Sequence, residues 1–272
     1  MCQDCEMVFA SPMPREDMLM RYNANYFTVA HGGPPTNSLA VAFFSGIAKI
    51  RYAFVQSFLD KHKITVRKVM EVGPGAGFFA RSWLHDAPNN TYAVVETDET
   101  CHQFLKKLGV QIVSLADAPS SDLVVMSHVL EHVPDPVGFV QAATLRLQRG
   151  GVIFIEVPCR DWEHKNLEEP HILFFDKVPM SRLLTDLGFA DIEVGYYGQP
   201  ISELKSITPL KKLYARVRAR LISWGIVMPF AIASAGMNRS VSRLERALVK
   251  PYKAHQVSTE PAWWLRAIAR KK

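Results

Sequence analysis

The chain has 272 residues, 48% of them hydrophobic and 21% charged, with a net charge of +6. This length fits one or two domains and the apolar content suffices for a buried core, which excludes a disordered chain. Four cysteines, two of them close together at Cys2 and Cys5 and two scattered at Cys101 and Cys159, do not make a disulfide framework. The first thirty residues lack an apolar run of signal-peptide length, so we expect a cytoplasmic protein.

The predicted elements begin with a helix over residues 39–61, which follows a Gly/Pro-rich loop at 31–37. Strand-like runs and helical segments then alternate, which predicts right-handed crossovers and a parallel sheet covered on both faces. Further helices are predicted at 78–84, 100–108, 136–147 and 179–187, and strands at 69–72, 92–96, 110–113, 122–126, 151–158 and 189–197.

The first predicted strand carries Glu71 and leads into three alternating glycines, Gly73, Gly75 and Gly77. A carboxylate at a strand tip, followed by a turn whose glycines let the backbone approach a ligand closely, forms a nucleotide-type pocket. A dinucleotide site is disfavoured because Phe78 stands where G-x-G-x-x-G needs its third glycine, and no G-K-[ST] of a P-loop follows. The pattern suits a nucleoside that lacks phosphates and carries a cationic amino group, and S-adenosylmethionine is such a ligand.

The next strands end in polar residues that a nucleoside could use. Glu96 follows the glycines by about twenty residues, where a carboxylate can accept both ribose hydroxyls. The third predicted strand leads to Asp117, and the fourth leads to the run HVLEHVPDP over residues 128–136. With these motifs in this order, residues 65–195 resemble the class I S-adenosylmethionine-dependent methyltransferases, in particular the branch with this motif after the fourth strand.

The resemblance implies a fold and a cofactor site. The fold is α/β, a Rossmann-like, doubly wound, mostly parallel seven-stranded sheet with an antiparallel last strand and a helical insertion before it. We expect the methionine end of the cofactor to be held by Glu71, Gly73, Gly75 and Gly77. We expect Glu96 to bind the ribose, Asp117 the adenine edge, and Ser127 and His128 to line the sulfonium side. No metal is expected, because the sulfonium brings its own electrophile and the protein mainly aligns the reactants.

The N-terminal residues 1–60 are expected to form a zinc-ribbon remnant and a helical cap ahead of a core at 61–197. Cys2 and Cys5 resemble the second knuckle of a zinc ribbon found in this branch, but they supply only half of the four ligands of a structural zinc. Residues 22–27 resemble a segment of the family with two tyrosines that lies near the cofactor or covers it.

The C-terminal region divides into an insertion at 198–261 and a last strand at 262–272, with a membrane-surface helix as the rival interpretation of the tail. From Ile201 onward, fifteen Lys and Arg stand against three acidic residues. The insertion is predicted to be either a helical substrate cap or a basic surface for an anionic membrane or lipid-linked intermediate. Nucleic acid is not expected, because aromatic residues are not interleaved with the basic ones, and the apolar stretch at 221–237 is too short to span a bilayer.

His171 is the predicted catalytic base, because it resembles a histidine of the family that follows the fifth strand and often faces the substrate. Its ordinary pKa near 6.5 suits proton abstraction, although it could instead position the cofactor or cap a helix. Glu131 and His132 precede a predicted helix start and are expected to make structural hydrogen bonds. His164 and Glu156 are weaker candidates.

Two functions remain open from the sequence. The first is methyl transfer from S-adenosylmethionine to a small molecule, such as a sugar or a cell-envelope or lipid-linked precursor, in the cytoplasm or at the inner membrane surface. The second is a catalytically inactive methyltransferase-like binding protein or partner subunit. The intact glycines and Glu96 favour the first, while the fold leaves the acceptor open.

Overall fold

Parallel strands form the centre of the protein in a computed structural model that describes residues 1–36, 38–164, 171–205 and 252–272, together with Leu213 and Val217. The strands are β1 (Val8–Phe9), β2 (Lys68–Val72), β3 (Thr91–Val95), β4 (Gln111–Ile112), β5 (Ser121–Ser127), β6 (Leu147–Pro158), β7 (Leu173–Phe174), β8 (Phe189–Pro200), β9 (Val257–Ser258) and β10 (Ala262–Lys271). The helices are α1 (Glu16–Asn23), α2 (Tyr26–His31), α3 (Ser38–His62), α4 (Phe78–Asp86), α5 (Glu99–Lys107), α6 (Pro136–Thr144), α7 (Lys177–Asp186) and α8 (Ile201–Lys205).

Within the described part of the chain, the main sheet has eight strands in the order β4-β3-β2-β5-β6-β10-β8-β9. Strands β2 to β6 pair in parallel, whereas β10 is antiparallel to both β6 and β8. The predicted Rossmann-like architecture with an antiparallel last strand is thus confirmed. The predicted number of seven strands is wrong, because the short β9 adds an antiparallel edge beside β8.

Every predicted core helix and strand is present, with ends displaced by a few residues. The tail is a strand, so its rival interpretation as a membrane-surface helix is wrong: β10 has a partner along each of its edges. Most of the predicted insertion at 198–261 lies outside the described residues, which here are 198–205, Leu213, Val217 and 252–261. Among the residues that are described, no helix is both long and apolar enough to cross a membrane.

Two apolar layers cover the sheet, one on each face. Successive side chains of a strand point to opposite faces, so the apolar strands need cover on both. Val69 faces a cluster with Phe58 of α3 and Trp83 of α4, whereas its neighbour Met70 faces a cluster with Met180 of α7. Helix α3 therefore packs on the same core as the sheet, although the sequence assigns it to an N-terminal unit. The boundary at residue 60 stays a prediction.

The N-terminal segment is attached to the loop that carries His171. Strand β1 pairs with β7, and the N–H of Ala10 donates to the carbonyl of Ile172 at 2.9 Å. The N–H of Ile172 in turn donates to the carbonyl of Glu131 at 2.8 Å. These backbone contacts fix His171 beside the turn after β5.

Glu71 lies inside the core rather than at its surface. Its Oε2 accepts a hydrogen bond from the Tyr92 hydroxyl at 2.7 Å, and the side chain is 3% exposed. Burial raises the pKa of Glu71 to about 7, against the opposing effects of the Tyr92 hydrogen bond and the charge of Arg51. The carboxyl therefore keeps its proton to a higher pH than an exposed glutamate does.

Glu156 is the fully buried charge that joins β6, β10 and α3. Arg266 lies directly opposite it on β10, with Nε 2.6 Å from Oε2, and Arg51 of α3 places its Nε 2.7 Å from Oε1. Burial opposes this charge, but Arg51 and Arg266 hold the pKa of Glu156 well below its usual range. The carboxylate needs these cations, because an unpaired buried charge is costly.

Glu71→Gln is expected to change how stability depends on pH. Between about pH 4.5 and 7 folded Glu71 binds a proton that the unfolded chain has released, so its contribution to the free energy of unfolding falls as pH rises. The free energy of unfolding of the wild type should fall relative to that of the variant by up to about 3 kcal/mol across this window. Urea denaturation at several pH values measures this, with the exposed Glu99→Gln as the control. Parallel curves for wild type and Glu71→Gln would contradict the raised pKa.

Arg266→Met is expected to lower the free energy of unfolding by about 3 kcal/mol, because Glu156 loses one of its two guanidinium partners. The double variant Arg266→Met, Glu156→Gln should regain part of this loss, as urea denaturation can measure. Arg270→Met is the matched control, since Arg270 lies on the same strand and pairs with Asp191 at the surface; it should cost less than about 1 kcal/mol. Equal losses for Arg266 and Arg270 would contradict the buried ionic anchor.

Candidate active site

A cavity of about 900 Å³ opens at the carboxyl ends of the parallel strands. It lies where the strand order reverses, because the chain runs from β2 outward to β3 and β4 and then returns to β5 on the other side. Ligands of open α/β sheets bind at this position. The cavity wall includes Val72, Gly73, Gly75, Val95, Glu96, Ser114, Ser127, His128, His132 and His171. It also includes Asn23, Tyr26, Phe27, Phe44, Arg51 and Tyr252, together with Trp263 and Trp264 of β10.

The glycine loop gives the cavity its floor. Gly73 has φ +68°, and a Cβ placed on it would lie 2.6 Å from Val129 Cγ2, so a side chain has neither the conformation nor the space it needs. Gly75 also lines the cavity. Gly77 serves packing instead, because it precedes α4 and a Cβ there would lie 2.6 Å from Leu108 Cδ1. Gly77 thus allows α4 to approach the end of α5 closely.

Glu96 presents its carboxylate at the end of β3. Its Oε2 accepts from the N–H of Gly75 at 2.8 Å, and its Oε1 accepts from the N–H of Asp98 at 2.9 Å. Burial raises the pKa of Glu96, against the lowering effect of these N–H donors. These two hydrogen bonds connect the end of β3 to the glycine loop after β2 and fix the orientation of the carboxylate.

Residues near the N terminus close the cavity from above. The N–H of Phe27 donates to Oδ2 of Asp98 at 2.9 Å, and the Phe27 ring lies against Gly75. Tyr26 packs edge to face against His132, with ring centroids 5.6 Å apart. The segment predicted to lie near the cofactor is therefore part of the cavity wall.

His128 stands between two buried carboxylates. Its Nδ1 is 3.2 Å from Glu131 Oε1, and its Nε2 is 3.5 Å from Glu156 Oε1. Burial opposes a charge on the ring, but the hydrogen bonds to Glu131 and Glu156 outweigh it and raise the pKa of His128. The backbone of His128 has φ +57°, a strained conformation that turns the chain sharply after β5. We conclude that the fold holds this ring in one orientation.

His171 belongs to a buried polar cluster at the far side of the cavity. Its Nδ1 is 2.5 Å from Asp161 Oδ2, and its ring centroid is 4.9 Å from that of His132. Glu131, His132 and His171 each bring one side-chain N or O atom within 4.8 Å of the others. These residues were expected to act separately, His171 as a base and the other two as structural groups, but the fold joins them.

Three predicted cofactor residues do not line the cavity, namely Gly77, whose packing role is described above, Asp117 and Glu71. Asp117 lies at the surface, where its Oδ2 accepts from the Ser114 hydroxyl at 2.6 Å, and Ser114 itself borders the cavity. Glu71 points into the core towards Tyr92. The predicted Ser127 does line the cavity, and its buried hydroxyl has no hydrogen-bond partner among the described residues.

Several lining residues were missed by sequence reasoning. Arg51 follows Lys49 by two residues in a predicted helix, so the local sequence does not single it out as the partner of a buried carboxylate. Trp263 and Trp264 begin the last strand, and their position beside the cavity follows only from the pairing of β10 with β6 and β8. No local pattern contained that information.

The lining fits the predicted adenosyl cofactor. A carboxylate for the ribose, a glycine floor and the unpartnered Ser127 hydroxyl border one continuous space. About 900 Å³ is at the large end of the range for small-molecule sites, which leaves room for a second ligand beside the cofactor.

Known proteins share this architecture. A solved methyltransferase of Thermotoga maritima, described as a possible histamine N-methyltransferase, is 15% identical, with 94% of this chain and 99% of that chain covered and a TM-score of 0.51. The plantazolicin methyltransferase BpumL, solved with a monoazolic desmethylPZN analogue and SAH, is 12% identical, with coverages of 94% and 97% and a TM-score of 0.52. At these identities the similarity is one of fold.

Sequence comparison gives the family. The ubiquinone biosynthesis O-methyltransferase of Acinetobacter baylyi is 25% identical over 119 residues, which are 39% of this chain, and the chain spans half the length of that relative. The profile of the methyltransferase domain family matches residues 47–194, more than half of the chain. The chain therefore belongs to the methyltransferase domain family, in agreement with the enzyme class and the S-adenosylmethionine cofactor predicted from its sequence.

Proposed function

We propose that this protein transfers the methyl group of S-adenosylmethionine to a hydroxyl group of a small molecule. The observation that carries the proposal is that one cavity is bordered on one side by Glu96 and the glycine loop and on the other by His128, His132 and His171. The first side suits a nucleoside, and the second offers groups that can handle a proton.

At the cofactor side, Glu96 accepts hydrogen bonds from the ribose hydroxyls while Gly73 and Gly75 let the ligand approach the backbone. Ser114 takes the place at the adenine edge that the sequence suggests for Asp117, since it borders the cavity and Asp117 does not. Glu71 acts indirectly, by supporting the strand end below the loop. When bound, the cofactor supplies a methyl group on a positively charged sulfur.

At the acceptor side, His171 is the proposed base. The Asp161 carboxylate accepts a hydrogen bond from Nδ1–H, which favours the tautomer in which Nε2 carries the lone pair. His128 lies closer to the strand ends, where Glu131 and Glu156 orient its ring. Alignment of the acceptor oxygen with the methyl carbon accounts for most of the rate enhancement, about 7 to 11 kcal/mol.

The acceptor is proposed to contain a ring, either of a sugar or of an aromatic compound. The support is the aromatic wall of Phe44, Tyr252, Trp263 and Trp264 beside the cavity, because flat side chains bind ring faces with little loss of conformational entropy. A lipid-linked or cell-envelope precursor that carries such a ring at one end fits the same proposal. The basic segment that would contact its anionic part lies outside the described residues.

Glu96→Ala is expected to weaken binding of S-adenosylhomocysteine by about 10- to 100-fold, because charge-assisted hydrogen bonds to the ribose are lost. Isothermal titration calorimetry measures this, and Glu99→Ala, an exposed glutamate three residues on, is the matched control. Unchanged affinity of Glu96→Ala would contradict the ribose assignment. Wild-type protein that binds neither S-adenosylmethionine nor its product would instead support the inactive, partner-subunit function.

His171→Asn is expected to lower kcat by about 10²- to 10⁴-fold and to leave S-adenosylhomocysteine affinity unchanged, because the ring acts on the acceptor only. The assay follows methyl transfer from radiolabelled S-adenosylmethionine to hydroxyl compounds of a cell extract and then to the isolated acceptor. The exposed His85→Asn, which also removes an imidazole beside a carboxylate, is the control. Full activity of His171→Asn would sink the assignment.

A further inference from the structure

We propose that Glu131, His132 and His171 bind a divalent transition-metal ion, and that this ion binds the acceptor through an oxygen atom. The inference rests on the proposed function and specifies how its acceptor side works. It differs from the expectation that the reaction needs no metal.

The geometry of the three side chains supports a common ligand. One ligand atom from each lies within 4.8 Å of the other two, so a small inward movement brings all three to coordination distance. All three residues are buried, with exposures of 1%, 6% and 7%. Glu131 and His132 are adjacent in the turn Leu130–His132, and the backbone hydrogen bond from Ile172 to Glu131 fixes His171 against them.

Among the described residues, only one of the two Glu131 carboxylate oxygens has a polar partner. Its Oε1 faces His128 Nδ1 at 3.2 Å, but its Oε2, which is also buried, has no hydrogen-bond donor among them. A buried carboxylate oxygen without a donor is costly. A bound cation would satisfy it.

Asp161 provides a second, independent observation. A metal-binding histidine almost always donates its other ring N–H to a carboxylate or carbonyl, which fixes the tautomer. Asp161 Oδ2 has this relation to His171 Nδ1, at 2.5 Å, and Asp161 is 1% exposed. The cluster thus contains both the ligands and the outer carboxylate of a metal site.

The donor set indicates the kind of metal. Two imidazoles and one carboxylate, without a thiolate, suit Zn²⁺, Fe²⁺, Mn²⁺ or Co²⁺ better than the all-oxygen ions Ca²⁺ and Mg²⁺. Three protein ligands leave coordination positions open, as in catalytic rather than structural sites. Since His132 and His171 line the cavity, the open positions would face the acceptor.

The metal changes the chemistry assigned to His171. Its Nε2 lone pair would bind the ion, so His171 would be a ligand instead of the base. The ion would lower the pKa of the acceptor hydroxyl, whose proton leaves to solvent. The oxygen then forms a bond to the methyl carbon, the carbon–sulfur bond breaks, and its electron pair stays on sulfur to give the neutral thioether. The acceptor class is therefore a hydroxyl compound that can ligate a metal.

Zinc and cobalt binding test the proposal directly. In a Cys2→Ser, Cys5→Ser background, which removes the paired thiols, calorimetry with Zn²⁺ should give one site, and Co²⁺ should give visible absorption bands typical of nitrogen and oxygen ligands. Glu131→Gln and His171→Asn should abolish this site. Asp161→Asn should weaken Zn²⁺ binding by about 10- to 100-fold, and the exposed His85→Asn should bind like its parent.

Binding of S-adenosylhomocysteine by the same preparations separates the two proposals and reports correct folding. Protein that binds the nucleoside but neither Zn²⁺ nor Co²⁺ would overturn the metal site and leave the methyltransferase function intact. An enzyme that keeps its full rate after chelation would also overturn it and restore His171 as the base. Loss of activity on chelation, with recovery on adding Zn²⁺, Mn²⁺ or Co²⁺, would support it. If Glu131→Gln does not bind S-adenosylhomocysteine, it is not correctly folded and its metal binding is uninformative. The Zn²⁺ affinity of Asp161→Asn then decides between the two outcomes.

Discussion

The chain leaves strand β2 towards one side of the sheet and later returns to its other side, and every feature of the candidate site depends on this reversal. Strands β3 and β5 lie on either side of β2. The loops that follow β2 and β5 therefore lead to opposite sides, and a gap is left between them at the carboxyl end of the sheet. The gap receives Glu96 from one side and His128 from the other. A parallel sheet of this order is thus the physical reason that residues distant in the sequence border one cavity.

The buried charge of Glu156 connects the frame of the sheet to the chemistry of the cavity. Its partners come from α3, β10 and the turn after β5, so Arg51, Arg266 and His128 all depend on one carboxylate. The same carboxylate and Glu131 contact the two ring nitrogens of His128, which fixes the orientation of the ring and raises its pKa. Stability and site geometry are coupled here, since the buried carboxylate that Arg51 and Arg266 neutralise also contacts the ring of His128 in the cavity wall.

Much of the fold and part of the candidate site could be predicted from the sequence alone. The predictions that were wrong or incomplete have physical causes. Alternating apolar runs indicated the helices and strands, and the order of Glu71, the glycines and Glu96 indicated the ligand class, because these signals are local. The side chain of Glu71 points towards Tyr92 in the core, a direction that its place at a strand end does not specify. The close approach of Glu131, His132 and His171 depends on the pairing of β1 with β7 and on a backbone hydrogen bond between distant loops. Hydrophobic periodicity does not predict such long-range contacts. The extra edge strand β9 has only two residues, too few for a pattern.

A crystal structure of the protein with S-adenosylhomocysteine is the decisive measurement, because every role given to the cavity depends on where one adenosyl group binds. We predict the ribose at Glu96, the homocysteine chain over Gly73 and Gly75, and the sulfur directed towards the side of the cavity that holds His128 and His171. Density for the nucleoside elsewhere, or a cavity that excludes it because Phe27 remains against Gly75, would contradict these assignments.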